Sequence, residues 1–255
     1  GVVIIDLIIY NRRIMKSIDE RILIRDTVQK KGETVNIRGW VDTVRDHGKV
    51  VFVDLRDRTG LVQCVITAAD KKISTEAVIN ITGKVNERPQ NAINPDMQTG
   101  TVEVLAEHYE ILNDCDELPI PIKTDGYEIS EDMRLRYRYL DLRRQRLNKI
   151  IRLRSNFVQE LRKAFFEEDF VEIETPLLTK GTSEGCRNFI VPSRLNSGKF
   201  YALPQSPQQY KQMLMTSGFE RYFQVAKCIR DEDLKADRGF EHTQFDMEMS
   251  FVTEE

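Results

Sequence analysis

The period of the apolar residues changes part-way along this chain, and that change demands two differently built halves. Between residues 33 and 112 the pattern is that of strands. The run 50–56 (VVFVDLR) alternates, so Val51, Val53 and Leu55 share one face while Phe52, Asp54 and Arg56 share the other. Asp57, Arg58, Thr59 and Gly60 form a turn signal that leads into a second strand over 61–66. From Asn148 onward the period is different. Leu153, Phe157, Leu161 and Phe165 follow at steps of four, the stripe of an amphipathic helix.

In the first half, a helix-prone link is expected at about 70–78, with further strands at 77–85 and 101–112. The loop 88–100 (RPQNAINPDMQTG) holds two prolines. Five strands and one helical link within about 80 residues suit a small Greek-key barrel of OB type. The second half reads as mixed α and β. The stretch 169–178 (DFVEIETPLL) reads as extended, and Pro176 stops any helix there. A Gly- and Ser-rich loop at 180–199 follows, then a helix at about 206–217. Two strand-like runs, 221–230 and about 243–252, are joined by a charged loop. The domain reading is an extension over 1–18, a barrel over 19–112, a polar linker over 113–145, and a mixed α+β domain over 146–255.

Size and charge set limits. At 255 residues the chain has room for about two domains. A net charge of −3 excludes a generally basic nucleic-acid binder and leaves room for a local basic face. One basic stretch, 134–154, is interleaved with Tyr137 and Tyr139. It reads either as a solvated linker and helix face or as a phosphate-contacting hinge. The four cysteines, Cys64, Cys115, Cys186 and Cys228, lie far apart, which disfavours a zinc site or a disulfide framework. The apolar start is broken by Asp6 and falls short of the roughly 20 residues that span a bilayer. A cytoplasmic, non-membrane location is expected, with Met15 as a candidate natural start.

On the barrel, Phe52 stands among charges, with Gln63 on the next strand and Arg45 before it. An aromatic suits stacking of an unpaired base, an amide suits pairing with a base edge, and an arginine suits a phosphate. Ordinary packing of Phe52 under a loop fits the period equally well. The stretch 39–66 (GWVDTVRDHGKVVFVDLRDRTGLVQCVI) resembles the anticodon-binding domain of bacterial-type aspartyl-tRNA synthetases. That resemblance implies anticodon contacts for Phe52 and Gln63, with Arg45 as a further candidate.

Three segments of the second half carry the same resemblance. FVEIETPLL at 170–178 resembles motif 1 of the class II synthetases, a dimer-interface element. TSEGCRNFIVP (182–192) and FYALPQSPQQYKQ (200–212) resemble the aspartate-binding segment. An acidic amino acid needs an anion for its ammonium and a cation for its side chain. The resemblance accordingly assigns Glu184, Ser206, Gln208 and Lys211 to amino-acid binding. FQVAKCIRDEDLKADRGFEHTQFDMEMSF (223–251) resembles motif 2. It implies that Arg230 contacts the ATP α-phosphate and the aspartate carboxylate. Asp231 and Glu232 are then ATP-binding, with Glu232 on adenine, and Asp246 is a candidate for the substrate ammonium. Activation of a carboxyl by ATP has an anionic transition state, which a fixed arginine fork suits. One departure stands out. Bacterial members commonly carry a glutamine–proline pair before the second glutamate of this loop, where this chain has Gly239 and Phe240.

Motif 3 of the class is missing from these residues, so the second domain is expected to be incomplete. The ligands for Mg2+, a second substrate-gripping arginine and later strands of the sheet are expected outside this chain, and none of its own residues is assigned to a metal. The expected function of the intact enzyme is an aspartate–tRNA ligase, a homodimer using ATP, L-aspartate, tRNA(Asp) and in some members tRNA(Asn). This chain alone is expected to be a fragment lacking full activity. The alternatives are a lysyl- or asparaginyl-tRNA synthetase relative, a tRNA- or single-strand-binding OB module with a vestigial second half, and a structural synthetase-like dimer.

Overall fold

The computed structural model describes residues 21–67, 69, 72–181, 185–236 and 238–254. It divides into two units, residues 1–119 and 120–255. The extension expected over 1–18, with Met15, lies outside the described residues.

In the first unit five strands close into a barrel. They are β1 (Thr34–Asp46), β2 (Val50–Asp57), β3 (Gly60–Thr67), β4 (Val78–Glu87) and β5 (Val102–Asn113). The order around the barrel is β1-β2-β3-β5-β4, with β4 returning to β1. Every pairing is antiparallel except β3 with β5. This is the OB-fold. Alternation on β2 puts Val51, Val53 and Leu55 in the core, where Ile37, Val41, Val62, Cys64, Ile79, Ile81, Val85 and Val104 meet them. Closure needs tight bends. At Gly39 an added Cβ would sit 2.3 Å from the Arg56 carbonyl oxygen, so no larger residue fits between β1 and β2 there.

A 3-10 turn over Ile24–Gln29 caps the barrel and buries Ile24 completely. Asp57 holds it in place. Its Oδ2 accepts the Ile24 N–H at 3.0 Å, and its Oδ1 accepts the Thr59 N–H and hydroxyl in the β2–β3 turn. The helical link expected at about 70–78 is not found. The described residues 72–77 make a turn instead, with Glu76 at φ 67°. Tertiary demands override helix propensity here. Ile73 and Ala77 are drawn into the core, and the buried Glu76 carboxylate takes both Nη2 bonds of Arg56 at 2.8 Å.

The second unit contains helices α1 (Glu131–Arg136), α2 (Arg138–Asp141), α3 (Gln145–Glu167) and α4 (Gln208–Thr216). Its main sheet has the order β10-β9-β6, from β6 (Val171–Glu172), β9 (Arg221–Ile229) and β10 (Glu241–Met249). A small hairpin pairs β7 (Ile190–Pro192) with β8 (Phe200–Ala202). The extended stretch expected at 169–178 thus contributes only two strand residues. The second long strand begins at Glu241 and ends at Met249, earlier at both ends than expected.

The segment 113–145, expected as a polar linker, is partly folded into the second unit. Ser130 caps α1 by accepting the Met133 N–H. Asp141 is fully buried and receives Arg134, Arg138 and Arg144 at 3.2, 2.8 and 2.7 Å. Arg144, itself buried, also donates to the carbonyls of Thr124 and Pro121. Three arginines of the basic stretch are therefore paired to a carboxylate rather than offered to phosphate. Burial alone would raise the Asp141 pKa, but the bonds from Arg144 and Arg134 prevail and hold it below the ordinary aspartate range.

Helix α3 ends in a Schellman-type cap. Asp169 takes φ 60°, the Phe170 N–H bonds the Phe165 carbonyl at 3.0 Å, and the two rings touch at 4.7 Å. The apolar stripe of α3 divides. Phe165 packs on Phe223 and Phe245 of the sheet, whereas Leu153 and Phe157 stay exposed. Among the described residues no helix is long and apolar enough to cross a membrane.

Candidate functional site

Strands β9 and β10 have two unlike faces. Phe223 on β9 and Phe245 on β10 stack at 5.6 Å on one face, with Phe165 and Phe166 of α3 against them. The other face is polar. In register it carries the pairs Tyr222 with Glu248, Gln224 with Asp246, and Cys228 with His242. One step further, the Arg230 N–H donates to the Phe240 carbonyl at 2.8 Å, which carries the pairing of the two strands one residue on.

Helix α4 supplies Lys211 to that face. Its ammonium lies 3.0 Å from Asp246 Oδ1 and 3.2 Å from Glu248 Oε2. The cluster carries one positive and two negative charges. Burial would lower the Lys211 pKa, but the bonds to Asp246 and Glu248 outweigh it and hold the lysine above its ordinary value. Asp246 is buried. Its Oδ1 also accepts the Gln244 amide at 3.3 Å, and its Oδ2 has no hydrogen-bond partner among the described residues. Behind it, the Tyr222 hydroxyl donates to Gln224 Oε1 at 2.8 Å. Burial first, and then the nearby Asp246, push the Tyr222 pKa upward.

Arg230 sits at the end of β9. Among the described residues its guanidinium bonds one carbonyl, that of Gln205 at 3.4 Å, and pairs with no carboxylate. The residue is half-buried. Ser206 and Gln208 are half-buried at the start of α4. Asp231 is joined to Arg187 by a backbone bond and a side-chain contact at 3.8 Å, and Glu232 is exposed. Glu184 lies outside the described residues. No group of three or more His, Cys, Asp or Glu among the described residues could hold a metal ion, and Asp246 and Glu248 already share Lys211.

The three barrel candidates fall on neighbouring strands. Arg45 on β1 pairs in register with Phe52 on β2, and Asp54 with Gln63 on β3. Arg45 makes a two-pronged bond to Asp54 at 2.6 and 2.9 Å and reaches Gln63 at 3.1 Å. Gln63 in turn donates to Glu103 on β5 at 2.9 Å. Phe52 is half-buried and meets His47 edge-on at 5.7 Å.

Sequence reasoning missed residues that support these sites. Buried Gln205 uses its whole amide. It donates to the Cys186 carbonyl at 2.6 Å and to Asn188 at 2.8 Å, and it accepts from Cys186. Its signal was an amide between two prolines. Arg88, also buried, has Nε and Nη2 without hydrogen-bond partners and lies 3.9 Å from Glu103. No local pattern in the sequence marks it.

Residues 130–255 match the family model for class II tRNA synthetases of the D, K and N group, and residues 35–112 match the OB-fold nucleic acid binding domain. The aspartate–tRNA(Asp/Asn) ligase of Hydrogenobaculum sp. is 51% identical over 232 residues, covering 88% of this chain and 39% of that protein. The chain belongs to the bacterial-type aspartyl-tRNA synthetase family. The Aquifex aeolicus relative of the same name is 51% identical over 233 residues, covering 88% of this chain and 38% of that protein. The chain thus spans about two fifths of the length of these aspartyl-tRNA synthetase relatives. Among solved structures, a putative aspartyl-tRNA synthetase from Leishmania major aligns with TM-score 0.75 and 26% identity, covering 87% of this chain and 46% of the other. The asparaginyl-tRNA synthetase of Pyrococcus horikoshii, complexed with asparaginyl-adenylate, shares the fold at TM-score 0.79 and 24% identity, covering 91% and 54%.

Proposed function

We propose that the full-length protein activates L-aspartate with ATP and transfers it to the 3′ end of tRNA(Asp), and of tRNA(Asn) as the names of its relatives suggest. The observation that carries this reading is the polar face of β9 and β10. There a lysine and a buried carboxylate pair on the strands, and an arginine with no acid partner among the described residues stands at the end of β9. In the first step a carboxylate oxygen of aspartate attacks the α-phosphorus of ATP. The bond to the β-phosphate breaks and pyrophosphate leaves. In the second step the terminal ribose hydroxyl attacks the adenylate carbonyl and AMP leaves. Catalysis is positioning and charge stabilisation.

In this reading Arg230 is the catalytic residue, holding the α-phosphate and the reacting carboxylate. Asp231 and Glu232 serve ATP, with Glu232 on the adenine amino group. Asp246 takes the substrate ammonium, assisted by Glu184, Ser206 and Gln208. Lys211 meets the side-chain carboxylate. On the barrel, Phe52 stacks an anticodon base while Gln63 and Arg45 address its edge and phosphate. The charging reaction takes place at neutral cytoplasmic pH in a homodimer. Residues that would hold Mg2+ are expected in the part of the protein beyond these described residues.

The test is calorimetric binding of a non-reactive aspartyl-adenylate analogue to the full-length protein and to Lys211→Met. Removing one partner of a buried charge cluster costs about 2–5 kcal/mol, so affinity should fall at least about 30-fold. ATP alone should bind as before. Equal affinity of the two proteins for the analogue would remove Lys211 from the aspartate site.

A further inference from the structure

Phe240, whose carbonyl accepts the Arg230 N–H, carries its ring to a second loop. Phe240 meets Phe189 edge-on, with centroids 5.4 Å apart and planes at 86°. Phe189 belongs to the loop that precedes β7, and Phe240 ends the loop between β9 and β10. The same two loops are tied a second time. The Asp231 N–H donates to the Arg187 carbonyl at 3.2 Å, and the two side chains approach to 3.8 Å. The first loop is itself anchored, since the Leu203 N–H donates to the Phe189 carbonyl and Gln205 grips Cys186 and Asn188. Arg230 lies between these ties. Its N–H bonds the Phe240 carbonyl, and its guanidinium rests on the Gln205 carbonyl.

We propose that Phe189 and Phe240 form a clasp that joins the two loops flanking Arg230 and positions that arginine for ATP. The inference rests on the synthetase reading for its effect on catalysis, and on geometry alone for the clasp itself. Phe240 acts through Arg230, so it is a positioning residue. An edge-to-face pair contributes enough to change a local equilibrium about three- to tenfold. A tyrosine at 240 keeps the ring and should preserve the contact. Proline, which has no aromatic ring, cannot.

Two measurements separate the clasp from the functional reading. The first is hydrogen exchange of the Arg230 amide in the 255-residue chain. Phe189→Leu leaves both atoms of the Arg230–Phe240 bond intact, so a faster exchange, by about three- to tenfold, reports the lost ring contact. Unchanged exchange overturns the clasp, whatever the protein's activity. The second is aspartate-dependent ATP–pyrophosphate exchange in the full-length protein. Phe189→Leu and Phe240→Leu should each lower kcat by a similar factor. The double variant should be no worse than either, and Phe240→Tyr should restore the rate. Multiplying effects, or a loss of melting temperature with kcat and KM unchanged, would show that the rings are merely structural. Absence of exchange in the unaltered protein would instead overturn the synthetase reading.

Discussion

Arg230→Ala is expected to lower aspartate-dependent ATP–pyrophosphate exchange by the full-length protein about 10³-fold, a loss typical of a preorganised donor removed from a developing charge. The guanidinium has no carboxylate partner among the described residues, so its charge is available to an anion. Its backbone is fixed by the Phe240 carbonyl and its Nε by Gln205, so little reorganisation is left for the moment of reaction. Lysine should rescue poorly. It keeps the charge but lacks the fork that spans phosphate and carboxylate oxygens together. Binding of tRNA through the barrel should be unaffected. A variant that retains most of its exchange activity would show that the arginine is not at the reacting phosphate.

Asp141→Ala is expected to destabilise the second unit by about 3–5 kcal/mol, the range for breaking a buried ion pair from one side. The loss comes chiefly from Arg144, which would stay buried with its charge uncompensated, with Arg134 and Arg138 losing their acceptor as well. Gly126 offers no room for relief. Its φ is 82°, and an added Cβ would lie 2.6 Å from Arg144 Nε. The single tryptophan, Trp40, reports on the barrel, while helical circular dichroism reports mainly on the second unit. In urea the helical transition should move to lower denaturant. The pH dependence follows from the depressed pKa. A carboxyl held below its unfolded value stabilises fully above about pH 4, the ordinary aspartate pKa, and the contribution is lost as pH falls through the lower folded value. Asp141→Asn should lose less than alanine and should flatten that acid dependence. An unmoved helical transition in both variants would contradict the account.

The barrel was largely legible because its signals are local. A two-residue period on β2 names the buried face, and the turn at Asp57 to Gly60 sets the hairpin. The second unit was less so. Strand β9 carries both apolar and polar residues on each face, so its sequence does not say that Gln224 looks toward Asp246 and Phe223 toward α3. Helix α3 has a clear stripe, yet Leu153 and Phe157 stay exposed while Phe165 packs on the sheet. Charge pairing was the main gap. Lys211 and Asp246 are 35 positions apart, and a sequence cannot announce that a lysine assigned to a substrate is already shared by two carboxylates. The basic stretch 134–154 left a phosphate-contacting hinge open beside a solvated face because the one acid that gathers three of its arginines, Asp141, is unremarkable until it is buried. The link before β4 failed as a helix for a related reason, since Ile73 and Ala77 gain more from the barrel core than from a helical turn.

The most direct test of the aspartate-activating site is ATP–pyrophosphate exchange by the full-length protein with aspartate, asparagine and lysine in turn. Exchange that depends on aspartate, with the other two amino acids far weaker, is the predicted result. Preference for asparagine or lysine, or no exchange with any of the three in a folded protein, would contradict the assignment of Arg230, Lys211 and Asp246 to an aspartyl-adenylate site.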